Sequence, residues 1–285
     1  MANLRDLRTR IDSIKNTKQI TNAMKMVAAA KLRKSQDLCI NSRPYADYVE
    51  KILHTVQVKN RNSTHKMLVS PNSNGKILLV IVTGDRGLCG SFNSSIIRYA
   101  NQYIKNHPDK TFDLFCLGRK GYDAFKKNSN VVEHYYNITE DITISSIYSR
   151  RDALLDLYNS GEYEKVEVVY NEFKSAIQQE LQCKQLLPIL SQETESISTI
   201  DFLYEPDEES LIDELCIKYI NVEIWRILLE SNAAEQGARM TAMDSATNNA
   251  IELIDQLSLL YNRMRQAQIT TEIIEVASGA EAIQQ

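Results

Sequence analysis

The stretch from Asp207 to Gln285 constrains the fold more than any other part of the chain. It contains no proline, and its only glycines are Gly237 and Gly279. Steps alternating between three and four residues pick out Ile212, Leu215, Tyr219, Val222, Arg226, Leu229, Ala233, Gln236, Met240, Met243, Thr247, Ala250, Ile254, Leu257, Tyr261 and Met264. Most of these are apolar, and the phase never slips. A seven-residue repeat sustained this long specifies one continuous helix with a left-handed coiled-coil seam. At 1.5 Å per residue such a rod is on the order of 100 Å long. A rod of that kind needs a second helix against its seam, and the rest of the chain must supply one.

The supply is at the other end. From Ala2 to Leu38, the residues Leu4, Leu7, Ile11 and Ile14 repeat the three-four spacing. The seam is polar through Asn16–Gln19 and is expected to resume at Ile20, Ala23 and Val27, with Ala28–Ala30 permitting close approach. Pro44 marks an expected kink or short break. Tyr48, Val49, Ile52, Leu53 and Val56 carry the helix onward. Asn60–Gly75 is polar and reads as a loop.

Between the two helical stretches the pattern changes. Lys76–Thr83, Thr111–Leu117, Val131–Tyr136 and Lys165–Phe173 read as strands. A further strand over Lys184–Leu190 belongs at an edge because of Pro188. Phe92–Asn106, a short helix opened by Gly118–Gly121, and Ile142–Ser160 alternate with the strands. Alternation of this kind predicts an open α/β sheet. The predicted fold is therefore α/β: a long antiparallel coiled coil of N- and C-terminal helices plus a small open Rossmann-like α/β domain. The expected bounds are 1–58 for the first helix, 76–190 for the α/β domain and 207–285 for the second helix, with Ser191–Pro206 as a linker. If Val56 and Asp207 meet at the domain, Met24 faces Arg239 and Met1 faces Asn262. Residues 263–285 are then unpartnered, a lone helix of roughly 35 Å at 1.5 Å per residue. It carries Ile269, Ile273, Ile274 and Val276. An exposed apolar tip predicts an external partner that surrounds it.

Composition narrows the function. A net charge of −4 with 25% charged residues is ordinary for a soluble protein. The longest apolar run, Ile77–Val82, is too short to span a bilayer, and the N-terminus has no apolar signal core. Five cysteines without CxxC spacing fit free thiols in a reducing compartment. The charge is uneven: Met1–Lys34 holds nine lysines and arginines against Asp6 and Asp12. That basic helix could be a solvated face, a nucleic-acid contact or a contact for acidic partner loops. No recognition motif or basic pI supports nucleic acid.

The turn Gly84–Ser91 (GDRGLCGS) lies between a strand and a helix, where phosphate loops lie. No lysine precedes Ser91, and Arg86 breaks the GxGxxG pattern, so a structural turn is the better reading. His54, His65, His107 and His134 have no partner at metal spacing. No catalytic, metal-binding or cofactor-binding constellation is visible. Two other classes remain open on this ground alone: an α/β nucleotide-binding enzyme that oligomerises through helical arms, and a coiled-coil tether.

The block RIDSIKNTKQITNAMKMVAAAKLRK (Arg10–Lys34) resembles the N-terminal block of the gamma subunit of F-type ATP synthases, and ITTEIIEVASGAEA (Ile269–Ala282) is similar to that family's C-terminal signature. ARMTAMDSAT (Ala238–Thr247), the Thr83–Asn93 turn and LLPI (Leu186–Ile189) resemble it too. Asn22 stands where the family often has Lys, and Lys25 where Glu is common. No close cysteine pair marks the middle domain, so the thiol switch of chloroplast members is not expected. The resemblance implies a rotor shaft without an active site, metal or cofactor. It would turn inside a ring of alpha and beta subunits, with its foot on the epsilon subunit and the membrane c-ring, coupling proton flow to ATP synthesis. It also implies ring contacts at Met24, Lys25 and Arg239 and, at a higher level, at Arg265, Gln266 and Thr270. For Met24, plain seam packing is an equal alternative. The implied location is peripheral, on the cytoplasmic face of a bacterial inner membrane.

Overall fold

The computed structural model describes residues 4–59, 65–70, 75–138, 142–190 and 207–284. The expected linker, Ser191–Pro206, lies outside them. Two helices dominate: α1, Leu4–Lys59, and the C-terminal helix Glu208–Gln284. Between them come β1 (Lys76–Val82), α2 (Phe92–Asn106), β2 (Phe112–Leu117), α3 (Arg119–Phe125), β3 (Asn130–Tyr135), α4 (Ile144–Asn159), β4 (Tyr163–Phe173) and β5 (Gln179–Leu187). The C-terminal helix is α5. The chain divides into two compact units, Ala28–Arg239 and Met1–Val27 with Met240–Gln285. This division cuts across both long helices rather than separating them from the α/β part.

In the larger unit the sheet order is β3-β2-β1-β4-β5. β1 pairs in parallel with β2 and β4, β2 in parallel with β3, and β5 antiparallel with β4. This is a Rossmann-like half sheet with an antiparallel edge. β5 ends at Leu187, so Pro188 withholds no ladder bond. The central strands β1, β2 and β4 are buried on both faces, and their alternate residues divide between two cores. Leu78, Val80, Val82, Phe115, Val166 and Val168 share one with Leu53 and Val56 of α1, Leu154 and Tyr158 of α4, and Ile212–Leu228 of α5. Leu79, Ile81, Leu114, Cys116 and Val169 share the other with Phe92 and Ile96 of α2, Phe125 of α3, and Ala234 and Ala238 of α5. α5 thus contributes to the packing of both sheet faces. Gly237 makes part of this possible. A Cβ there would lie 3.1 Å from the carbonyl oxygen of Ala176 in the β4–β5 turn.

The α5 seam has the phase that the sequence predicts: all sixteen positions are buried or half-buried. The α1 seam does not resume where expected. Ile20 and Val27 are 61% and 57% exposed. The buried line runs through Leu7, Ile11, Thr21, Ala28, Leu32, Ser35, Ser42, Ala46, Val49, Leu53 and Val56, and the half-buried Ile14, Lys18, Lys25 and Cys39 complete its steps of three and four. Small hydroxyl residues fill positions that an apolar template skips, because each can find a partner. Thr21 and Thr247 meet hydroxyl to hydroxyl at 2.8 Å within the smaller unit. In the larger unit, Asn232 Nδ2 donates to Ser35 Oγ at 2.9 Å. Nor does Pro44 end the helix. α1 is assigned as continuous through it, with Pro44 exposed.

The pairing is antiparallel, but its register differs from the expected one. Lys25 Nζ sits 2.5 Å from Asp244 Oδ1, where a pairing of Met24 with Arg239 was expected. The offset is about five residues, or ~7 Å along a helix. The expectation assumed that Val56 and Asp207 enter the domain at one level. Instead Val56 shares a core with Ile212, and Ala46 and Val49 pack with Tyr219 and Val222, so α1 meets α5 about five residues beyond Asp207.

Candidate functional site

Two places answer the expectations drawn from the sequence. The first is the turn that follows β1. At the end of the strand, Thr83 Oγ1 accepts from the amide of Gly121 at 2.8 Å. The amide of Gly84 donates to Asn93 Oδ1 at 2.8 Å, and Asn93 Nδ2 donates back to the carbonyl of Arg86 at 3.2 Å. Asp85 Oδ1 accepts from the amide of Arg119 at 3.0 Å. These bonds fix the turn from the α2 and α3 sides, and Leu88 at its apex is 64% exposed with a φ of 62°.

In Rossmann-like sheets the crevice beyond the carboxyl ends of the central strands receives the ligand. Here α5 fills it. A Cβ on Gly84 would lie 2.8 Å from both Cδ and Oε1 of Glu235, so only glycine lets the carboxyl come so close. Arg239 Nη2 donates to Glu235 Oε1 at 2.6 Å and to the carbonyl of Gly87 at 3.3 Å. Burial pushes the Glu235 carboxyl above the usual range. Arg239 opposes that shift, Asp85 adds to it and Lys31 opposes it. A phosphate in this turn would meet a buried acid where a P-loop supplies a lysine. Among the described residues, no group of three His, Cys, Asp or Glu side chains is placed to hold a metal ion.

The second place is the surface of the long helices. Met24 and Lys25 are half-buried, and Lys25 is engaged with Asp244. Arg239 faces inward, its side chain only 13% exposed. Arg265, Gln266 and Thr270 are exposed, and the Thr270 hydroxyl donates to the carbonyl of Gln266 at 2.9 Å. The six sequence-predicted contact residues therefore differ in kind: three are open to solvent, two are half-covered, and one is spent on an internal bond. From Arg265 to Gly279 every residue is exposed, including Ile269, Ile273, Ile274 and Val276, while α5 stays helical. Sequence reasoning missed Glu235. A lone acid in a helix carries no signal until the helix is seen to cross a glycine turn. It also missed Ile20, Met26 and Val27 as outward-facing apolar residues of α1.

No helix among the described residues is long and apolar enough to cross a membrane. Comparison with known proteins gives one answer throughout. The family model described as ATP synthase matches residues 3–283. The ATP synthase gamma chain of Chlorobaculum parvum is 45% identical over 292 residues, covering 100% of both chains. That of Prosthecochloris aestuarii is 44% identical, covering 100% of this chain and 99% of its own. Among solved structures, a chain of the central stalk and c-ring assembly of the Tetrahymena thermophila mitochondrial ATP synthase aligns with a TM-score of 0.61 at 28% identity, over 80% of this chain and 99% of its own. A chain from the Euglena gracilis mitochondrial ATP synthase shares the fold, with a TM-score of 0.67 at 18% identity over 98% of this chain and 94% of its own. Full-length identity at this level, on a fold of two long helices around a plugged Rossmann-like sheet, shows that the chain belongs to the ATP synthase family as a gamma chain, with the role of rotor shaft.

Proposed function

We propose that this chain turns inside a ring of alpha and beta subunits, rests on the epsilon subunit and the membrane c-ring, and has no catalytic site of its own. The observation that carries the reading is the run Arg265–Gly279, helical and exposed on every side, with large apolar residues among its side chains. Exposed apolar surface of this extent favours burial at about 25 cal/mol per Å². A smooth apolar sleeve would cover it with few directional bonds to resist rotation. The working division is 1–58 and 207–285 for the shaft and 76–190 for the body that meets the foot. Arg265, Gln266 and Thr270 are the upper contacts with the ring, and Met24, Lys25 and Arg239 the lower ones. Each catalytic site of the ring changes affinity only as far as its contacts with the shaft differ between states. The complex sits on the cytoplasmic face of a bacterial inner membrane, coupled to protons.

The carboxyl of Glu235 against Gly84 supports the absence of nucleotide chemistry in the turn. Two measurements test the reading. Purified alone, the chain should hydrolyse no ATP; turnover that co-purifies with it and vanishes in Ser91→Ala would overturn the assignment. In the assembled complex, a cysteine at Thr270 should cross-link to a ring subunit, whereas one at Lys165 in the sheet should not.

A further inference from the structure

The Glu235 carboxyl is only half provided for. The residue is 2% exposed. Oε1 accepts from Arg239, but Oε2 is buried with no hydrogen-bond partner. An ionised carboxylate has room for about four donors and is costly to bury without them. A neutral carboxyl is different: its carbonyl oxygen accepts, its hydroxyl donates, and an oxygen that no N–H approaches is where the proton belongs. Asp85, on the same turn, also has a buried oxygen, Oδ2, without a partner. It is a second acid beside the first.

We infer that Glu235 carries a proton on Oε2 at neutral pH, and that its loss at higher pH unfastens the turn after β1 from α5. The charged and titratable groups that face Glu235 come from three elements. α5 supplies Arg239, the turn supplies Asp85 and the Cys89 thiol, and α1 supplies Lys31. Arg239 and Lys31 favour the ionised form. Burial, the larger effect, and Asp85 oppose it. The Cys89 thiol is itself pushed up, first by burial and then by Glu235, and so adds no charge near neutrality. The sign follows from linkage. The carboxyl is raised above the ordinary range where it is closed against Gly84, and ordinary where it is open to water. The closed form therefore binds the proton more tightly and is favoured at low pH. Rising pH removes the proton and favours the open form, at most about tenfold per pH unit for one proton.

The test uses the full chain. Amide exchange of the segment 84–91, corrected for the intrinsic rate, should show opening that grows several-fold to about tenfold per pH unit on the alkaline side of the titration. Glu235→Gln, which keeps a neutral side chain of the same shape, should hold the turn closed and make the profile flat. A flat profile in the unaltered chain would overturn the inference, as would a turn that is open at every pH in Glu235→Gln. Infrared titration of the unaltered chain can overturn the inference whether or not the variant folds: if every carboxyl is ionised at neutral pH, the inference is wrong. The expected result is a protonated-carboxyl band that persists at neutral pH, disappears at higher pH and is missing in Glu235→Gln, the last point separating it from Glu230, whose carboxyl burial also raises. The rotor assignment survives either result, because neither measurement involves the ring.

Discussion

α5 is one helix with two environments. Between Ile212 and Ala238 nearly every residue is at least half-buried, and Cys216, Ile220, Ile224, Ile227 and Leu228 pack into the sheet core on a side separate from the seam. Between Arg265 and Gly279 every residue is exposed. The helix formers are similar in the two stretches, so intrinsic propensity cannot account for the difference. Most helical stability in proteins comes from tertiary packing of a face, and an isolated helix of the tip's length is marginal in water. The first stretch is a helix because of what surrounds it within this chain; the second needs something from outside.

The largest effect that could break this contrast is in amide exchange. In the isolated chain, amides of the tip should exchange within about a hundredfold of the free rate, while those of Ile220–Ala234 should be slowed by on the order of 10⁴ or more, since sub-global opening approaches global stability there. Equal protection would mean that the tip folds back on its own chain. Next in size is truncation. Leu228→Ala should cost about 2–5 kcal/mol by chemical denaturation, as for other buried leucines. Ile273→Ala should stay within about 0.5 kcal/mol, as for exposed substitutions. The finest comparison is between the two glycines of α5. Gly279→Ala meets open space and should stabilise the tip helix by about 0.5–1 kcal/mol. Gly237→Ala should lose about 1–3 kcal/mol, because the new methyl group is pressed against the Ala176 carbonyl. If both glycine substitutions stabilise, the β4–β5 turn yields more readily than its packing suggests.

The same contrast separates what the sequence reveals from what it hides. The α5 seam is legible because apolar residues occupy all of it but Arg226, Gln236 and Thr247, and no two neighbouring seam positions are polar. The α1 seam is not, because Thr21, Ser35 and Ser42 hold seam positions while Ile20 and Val27 stand outside. A hydrophobic template follows the wrong residues there. The hydroxyl pair Thr21–Thr247 becomes visible only with both helices in hand. The open sheet is legible from the alternation of strands and helices, although alternation alone does not fix the order of its strands. The register of the long pair is not legible, because Val56 and Asp207 do not stand at one level: Val56 shares its core with Ile212. Of the contact residues that the resemblance implied, Arg265, Gln266 and Thr270 are open to solvent, and Arg239 is folded onto Glu235.

A wheel slips on its axle unless something crosses from one to the other. In this chain one polar crossing piece is the Glu235–Arg239 pair lodged against Gly84 and Gly87. It is lodged in the turn that directly follows the sheet's central strand. The site where this type of fold would otherwise admit a small molecule has become a keyway. Twist applied to the helix at that level reaches the end of β1, the most enclosed strand of the body, alongside the two cores that α5 shares with the sheet.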